Sequence, residues 1–140
     1  MNTSRVISTS IVVWIVGALF TWLTCGWLFN WVYTLPPMIW LSPDVMSSAA
    51  NLFASNVITL ITSFLFVIVF VIIQRGIPGK GINQGLSYGF FIWLVGALPG
   101  LATMPFYMTI ATTVVFYWLG QSLVLSLISG ALTAAIYKAK

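Results

Sequence analysis

A bundle of four transmembrane α-helices, both termini cytoplasmic, with an apolar cap on the outer side, is the all-α membrane fold this sequence predicts. Three observations predict it. Only 4% of the 140 residues are charged and 61% are hydrophobic, whereas soluble domains carry roughly 25% charged residues. Six charges cannot build a water-facing surface, and the mean hydropathy of +1.10 agrees. Four runs are long and apolar enough to cross a bilayer, which takes about 20 residues. Finally, the five cations fall where a four-span topology puts them all on one side.

The first span is expected over 6–28, the second over 54–73, the third over 82–101 and the fourth over 118–137, as one domain over 1–140. None carries a charge. Arg5 ahead of an apolar run resembles the start of a secretory signal. No small-x-small cleavage site follows it, and Trp22-Leu23-Thr24 before Cys25 is too bulky for a lipoprotein signal. The segment therefore reads as a retained helix.

Between spans one and two, Leu35-Pro36-Pro37 cannot continue a helix. Ser42-Pro43-Asp44 supplies an N-cap, a first-turn proline and an early acidic residue, so a helix starts there. Gly76-Ile77-Pro78-Gly79 is a tight turn between spans two and three. Pro99-Gly100 and Pro105 are expected to break the chain before span four. A helix from Pro43 can run unbroken to Gln74, and one from Thr109 to Lys138. Each would be ~45 Å long against a hydrocarbon core of ~30 Å, so each tilts or projects beyond the outer face. With the apolar loop 29–41, projecting ends would form the cap. That cap either folds onto the bundle or offers a docking surface through Trp27, Trp31, Trp40 and Tyr107.

Arg5 precedes span one, Arg75 and Lys80 flank the turn between spans two and three, and Lys138 and Lys140 follow span four. These three places share a side, and Asp44 lies opposite. Cytoplasmic loops carry the Lys/Arg excess, so the five cations act as cytoplasmic anchors. They are too few and scattered for nucleic acid.

Small residues mark the packing faces, because helices in lipid associate through close approach. Span three carries Gly81, Gly85, Gly89, Gly96 and Gly100; span four carries Ser122, Ser126, Gly130 and Ala134; span one carries Gly17, Thr21 and Cys25. These faces point into the bundle or into a contact between copies. Trp14-Ile15-Val16-Gly17-Ala18-Leu19 resembles Trp93-Leu94-Val95-Gly96-Ala97-Leu98, although spans two and four match poorly.

The chain offers little catalytic chemistry. It has no histidine, no glutamate, one aspartate and one cysteine. That excludes histidine ligation of haem, His-based acid–base work and a Ser/His/Asp triad within this chain. Asp44 and Cys25 cannot complete a metal cage. Proton-coupled transport wants an ionisable group inside the membrane, and the spans hold none. Gly76-Ile77-Pro78-Gly79-Lys80-Gly81 lacks the Lys-Ser/Thr tail of a phosphate loop. One polar stripe stands out: Ser47, Asn51, Ser55, Thr59 and Ser63 at four-residue steps, with Asn56 beside them. It either bonds across helices or lines a path for a neutral solute.

Gly79-Lys80-Gly81 leading into Gly85 and Gly89, then Trp93, Pro99, Tyr107-Met108, Trp118 and Ile136-Tyr137-Lys138, resembles a group of small bacterial four-helix membrane proteins of unknown function. The likeness implies a bacterial cytoplasmic-membrane location and this topology, and carries no activity or site residues. The functional expectation is a non-catalytic subunit or scaffold that packs against a larger membrane complex. The alternative is a small channel or carrier for water, a neutral solute or lipid. The expected partners are membrane lipid and other membrane subunits or a second copy. No cofactor is expected, although a lipid or hydrophobic cofactor between helices needs no charged motif.

Overall fold

The computed structural model describes residues 2–137, so Lys138 and Lys140 lie outside the described residues. Within it the chain is helical and contains no strand. Four helices are long and apolar enough to cross a membrane: span one, Thr3–Leu28; span two, Ala49–Gly76; span three, Ile82–Tyr107; span four, Thr112–Ile136. The chain is a multi-pass membrane protein.

Span one starts on Asn2, whose side chain accepts from the Arg5 amide at 3.2 Å. It is α-helical to Leu23 and then widens into a π-turn, Thr24–Leu28. A short 3-10 helix, Asn30–Thr34, turns the chain back over the bundle. The helix begun at Pro43 ends at Met46, against the expectation of one helix to Gln74. The cause is local competition at Ser47-Ser48. Ser48 takes an extended conformation, accepts from the Asn51 amide and so caps a new helix. Span two therefore begins five residues before the expected 54.

The turn into span three needs glycine twice, with φ of 99° at Gly79 and 56° at Gly81. Gln84 Nε2 closes it by donating to the carbonyls of Ile77 and Gln74. Pro99 does not break the chain as expected. Its missing N–H and its ring conflict with the preceding turn of an α-helix. A π-turn at Trp93–Ala97 absorbs that conflict, and helix resumes at Leu98–Ala102. After a step at Thr103 a last turn, Met104–Tyr107, carries Pro105 in its first turn, where proline is tolerated. Span four begins at Thr112 rather than 118, and its 25 residues extend about 37 Å.

The helices pack in the order two, one, four, three. Spans three and four form the tightest contact. A Cβ placed on Gly85 would stand 2.7 Å from Ala134 Cβ, and one on Gly89 2.7 Å from the Ser126 carbonyl carbon. Gly130 meets the backbone of Gly85 and Gly89 in return. Trp93 Nε1 donates to Ser122 Oγ at 3.0 Å in the same contact. Gly81, Gly96 and Gly100 depart from expectation, since a side chain at any of them would meet nothing within 4 Å. Gly81 serves the turn instead, and the π-turn rotates Gly96 away from span four.

Both ends and the two-three turn meet at one face. The Asn2 amide donates to the Tyr137 hydroxyl at 3.4 Å, and Tyr137 joins Val6, Val13 and Val67 in a buried cluster. Beside it Phe70, Ile77, Tyr88 and Ala134 form a second one. Arg5, Arg75 and Lys80 sit at this face and Asp44 at the other.

A lateral groove as the candidate functional site

Contacts between spans two and three run from the turn that joins them as far as Phe66 and Tyr88. There the Tyr88 hydroxyl donates to the Phe66 carbonyl at 2.6 Å, and its ring meets Phe66 and Phe70 edge-on. Away from that face the two spans diverge. The gap is a groove of about 630 Å³, backed by spans one and four. Its walls run from Leu52 to Phe66 on span two and from Val13 to Trp22 on span one. Span four contributes Leu125, Ser126 and Ser129, and span three contributes Ile92. The groove thus occupies the outer half of the bundle and is floored near its middle.

Four residues of the expected polar face, Ser55, Asn56, Thr59 and Ser63, line this groove. Ser47 and Asn51 do not. The break in the helix removes Ser47 from the stripe, and its hydroxyl donates to the Pro43 carbonyl at 2.9 Å. Asn51 ties the short helix to span two through Nδ2, which donates to the Val45 carbonyl at 2.7 Å. Thr62 lines the groove as well; three residues beyond Thr59, it lies off the four-residue stripe that marks the face in the sequence. Trp14, the first residue of the segment that resembles 93–98, donates its indole N–H to Thr59 Oγ1 at 3.1 Å.

Each polar side chain on this wall first satisfies its own helix. Ser55 and Asn56 donate to the Leu52 carbonyl, Thr59 to Asn56, Thr62 to Ile58 and Ser63 to Thr59, at 2.7–3.0 Å. The hydroxyl protons are therefore committed, while hydroxyl lone pairs, the Asn56 carbonyl oxygen and one Asn56 N–H remain. A hydroxyl back-bonded in this way is tolerated in hydrocarbon. No charged side chain lines the groove. The arrangement can bind uncharged polar groups, and it holds no nucleophile with a base beside it.

The outer end carries the second candidate surface. Val32, Ile110, Val114 and Val115 form a buried cluster that pins the 3-10 helix onto span four. Over it lies an aromatic layer in which the Trp118 indole donates to the Tyr33 hydroxyl at 2.8 Å. Trp40 belongs to this layer, edge-on to Tyr33 at 5.1 Å and to Trp118 at 5.8 Å. The expected docking surface thus loses Trp40, which packs inward because a T-shaped aromatic contact was on offer. Burial and the Cys25 thiol beside it push the Tyr33 phenol up, so it stays neutral. Trp27, Trp31 and Tyr107 remain exposed, at 69%, 56% and 86%, and Phe106 joins them.

Cys25 is half-buried and receives hydrogen bonds from Tyr117 and Gln121. Among the described residues no group of three or more His, Cys, Asp or Glu side chains comes together. Lys80 borders a cavity of about 640 Å³ at the face of the two-three turn, with Gln74, Gln84 and Tyr137. Comparison of the chain with family models, curated proteins and solved structures finds no match.

Proposed function

We propose that this chain is a non-catalytic membrane subunit or scaffold that docks against a larger membrane complex through its outer aromatic rim. The observation that carries the reading is the contrast within one cap. Trp40, Tyr33 and Trp118 pack ring against ring, while Trp27, Trp31, Phe106 and Tyr107, at the same end of the bundle, stay exposed. Aromatic side chains are the residues that most often anchor interfaces. Within the spans the only charged side chains are Arg5 and Arg75, both at span ends, which supports a role without chemistry of its own. The cationic face would be cytoplasmic by the positive-inside rule. A bacterial inner-membrane location rests on the likeness to small bacterial four-helix proteins.

The test is the mass of the particle extracted from native membranes in polymer-bounded lipid discs. A complex larger than the chain, lost on joint substitution Trp27→Ala, Trp31→Ala and Tyr107→Ala with helicity retained, is the expected result. A lone, monodisperse chain would sink the reading.

The groove favours a second reading, a carrier for a neutral solute, water or lipid. Its uncharged polar wall suits such a cargo, and its floor near the bundle's middle argues for a carrier over an open channel. Uptake of a neutral solute into proteoliposomes that falls on Ser55→Leu or Asn56→Leu would support it, and zero flux would count against it.

A further inference from the structure

We propose that the groove between spans two and three is a binding site for an uncharged, single-chain amphiphile of the outer leaflet, such as a monoacylglycerol or a long-chain alcohol. The site stands apart from the aromatic rim. It shares with the carrier reading only the groove itself, because binding requires no transport.

Three features select the occupant. The first is volume. A cavity of about 150 Å³ holds one benzene ring, so 630 Å³ admits roughly 25 non-hydrogen atoms. That suits one chain with a small head and is too little for a two-chain phospholipid. The second is the distribution of polarity along span two. Every polar side chain that lines the groove from this span lies between Ser55 and Ser63, while the stretch 64–73 is wholly apolar. A ligand standing in the outer leaflet would meet Asn56 and Thr59 with its head or linkage and run its chain toward Phe66 and Ile92. The third is charge. The lining holds no ionisable side chain, and Arg5, Arg75 and Lys80 all sit at the opposite face. A carboxylate or phosphate in the groove would be desolvated without a counter-charge, which membranes penalise heavily.

The span-two wall also presents mainly acceptors, because its hydroxyl protons and one Asn56 amide proton are committed to the Leu52, Asn56, Ile58 and Thr59 carbonyls. The favoured head is therefore one that donates, such as a hydroxyl. A partner's transmembrane helix is the competing occupant. It keeps its own backbone donors internal and would leave these acceptors unanswered unless it carried a serine or threonine in register.

Photo-crosslinking with a diazirine-bearing monooleoylglycerol, on the full chain in lipid discs, tests this. Saturable labelling of peptides covering 52–66 and 13–22, competed by unlabelled monooleoylglycerol and not by oleate, is expected. Asn56→Leu with Thr59→Val should weaken apparent affinity by about fivefold or more, as lost intramembrane hydrogen bonds do. Gly17→Leu fills the groove and should abolish labelling. Its Cβ would meet only Leu125 at 3.7 Å, so helicity and particle size should hold. Equal competition by oleate, labelling spread evenly over the lipid-facing surface, or labelling blind to both variants would overturn the proposal. So would a protein crosslink at 52–66 that excludes the probe. Saturable labelling without flux would uphold the site and remove the carrier reading.

Discussion

Spans three and four meet backbone to backbone, whereas spans two and three, joined by a loop of similar length, separate beyond Phe66 and Tyr88. The difference follows from what each helix offers at its contact face. Span three gives Gly85 and Gly89, span four gives Ser126, Gly130 and Ala134, and the chains approach until a single added carbon would collide. Beyond the turn span two gives span three Phe66 and Phe70, which Tyr88 holds at ring-contact distance. In lipid no hydrophobic force draws two apolar faces together. Small residues allow contact, large ones hold it off, and a groove remains where the second kind prevails.

Substitution within the tight contact should break the molecule most severely. Gly89→Leu would drive Cβ against the Ser126 carbonyl and Leu127 Cα, both backbone atoms that cannot swing aside. Overpacking of this kind costs typically 1–3 kcal/mol and occasionally more, and the rigid partner puts Gly89 at the upper end. Gly96→Leu, on the same helix, should change stability by less than about 0.5 kcal/mol because open space surrounds it. Melting of the two variants in one detergent compares them. Equal losses would show that spans three and four do not meet through this face.

The pin between spans two and three comes next. Tyr88→Phe keeps the ring and removes the hydrogen bond to the Phe66 carbonyl. A loss of about 1 kcal/mol is expected, within the measured range for intramembrane hydrogen bonds. The same variant should speed labelling of a cysteine placed at Ser63, because the floor of the groove would loosen. Unchanged labelling would mean that the rings alone hold the floor.

The sequence revealed the four spans, the cationic face and the two-three turn because each is written locally. A run of apolar residues, a charge or a glycine needing positive φ at Gly79 speaks without knowledge of its neighbours. Gly85, Gly89, Ser126 and Gly130 were legible by four-residue spacing, but Gly81, in step with them, and Gly96, seven residues beyond Gly89, do not pack. One lies in the turn, and the other lies on a π-turn that shifts the helical phase. That π-turn and the helical Pro99 were hidden together, since proline alone reads as a break. The polar stripe of span two was visible, but its purpose was not. A groove exists only because the spans pack in the order two, one, four, three, and no periodicity within one helix encodes that order. Trp40 shows the limit from the other side: an interfacial tryptophan and a packed one look alike until Tyr33 and Trp118 arrive beside it.

The smallest effects belong to the groove wall itself, and they sharpen the contrast. Thr59 and Thr62 both donate to a carbonyl of their own helix, and only Thr59 also accepts from another span, through Trp14 Nε1. Thr59→Val leaves that indole N–H without its partner and should cost about 0.6 kcal/mol, the average for such bonds in membranes. Thr62→Val loses only a local bond that competes with the helix's own geometry, so its effect should lie within about 0.3 kcal/mol of zero. A double variant with Trp14→Phe separates the cases. Once the indole donor is gone, Thr59→Val should cost no more than Thr62→Val, because what distinguished them was the bond across the helices. If Thr59→Val stays costly in that background, the hydroxyl serves its own helix and spans one and two are held together by packing alone.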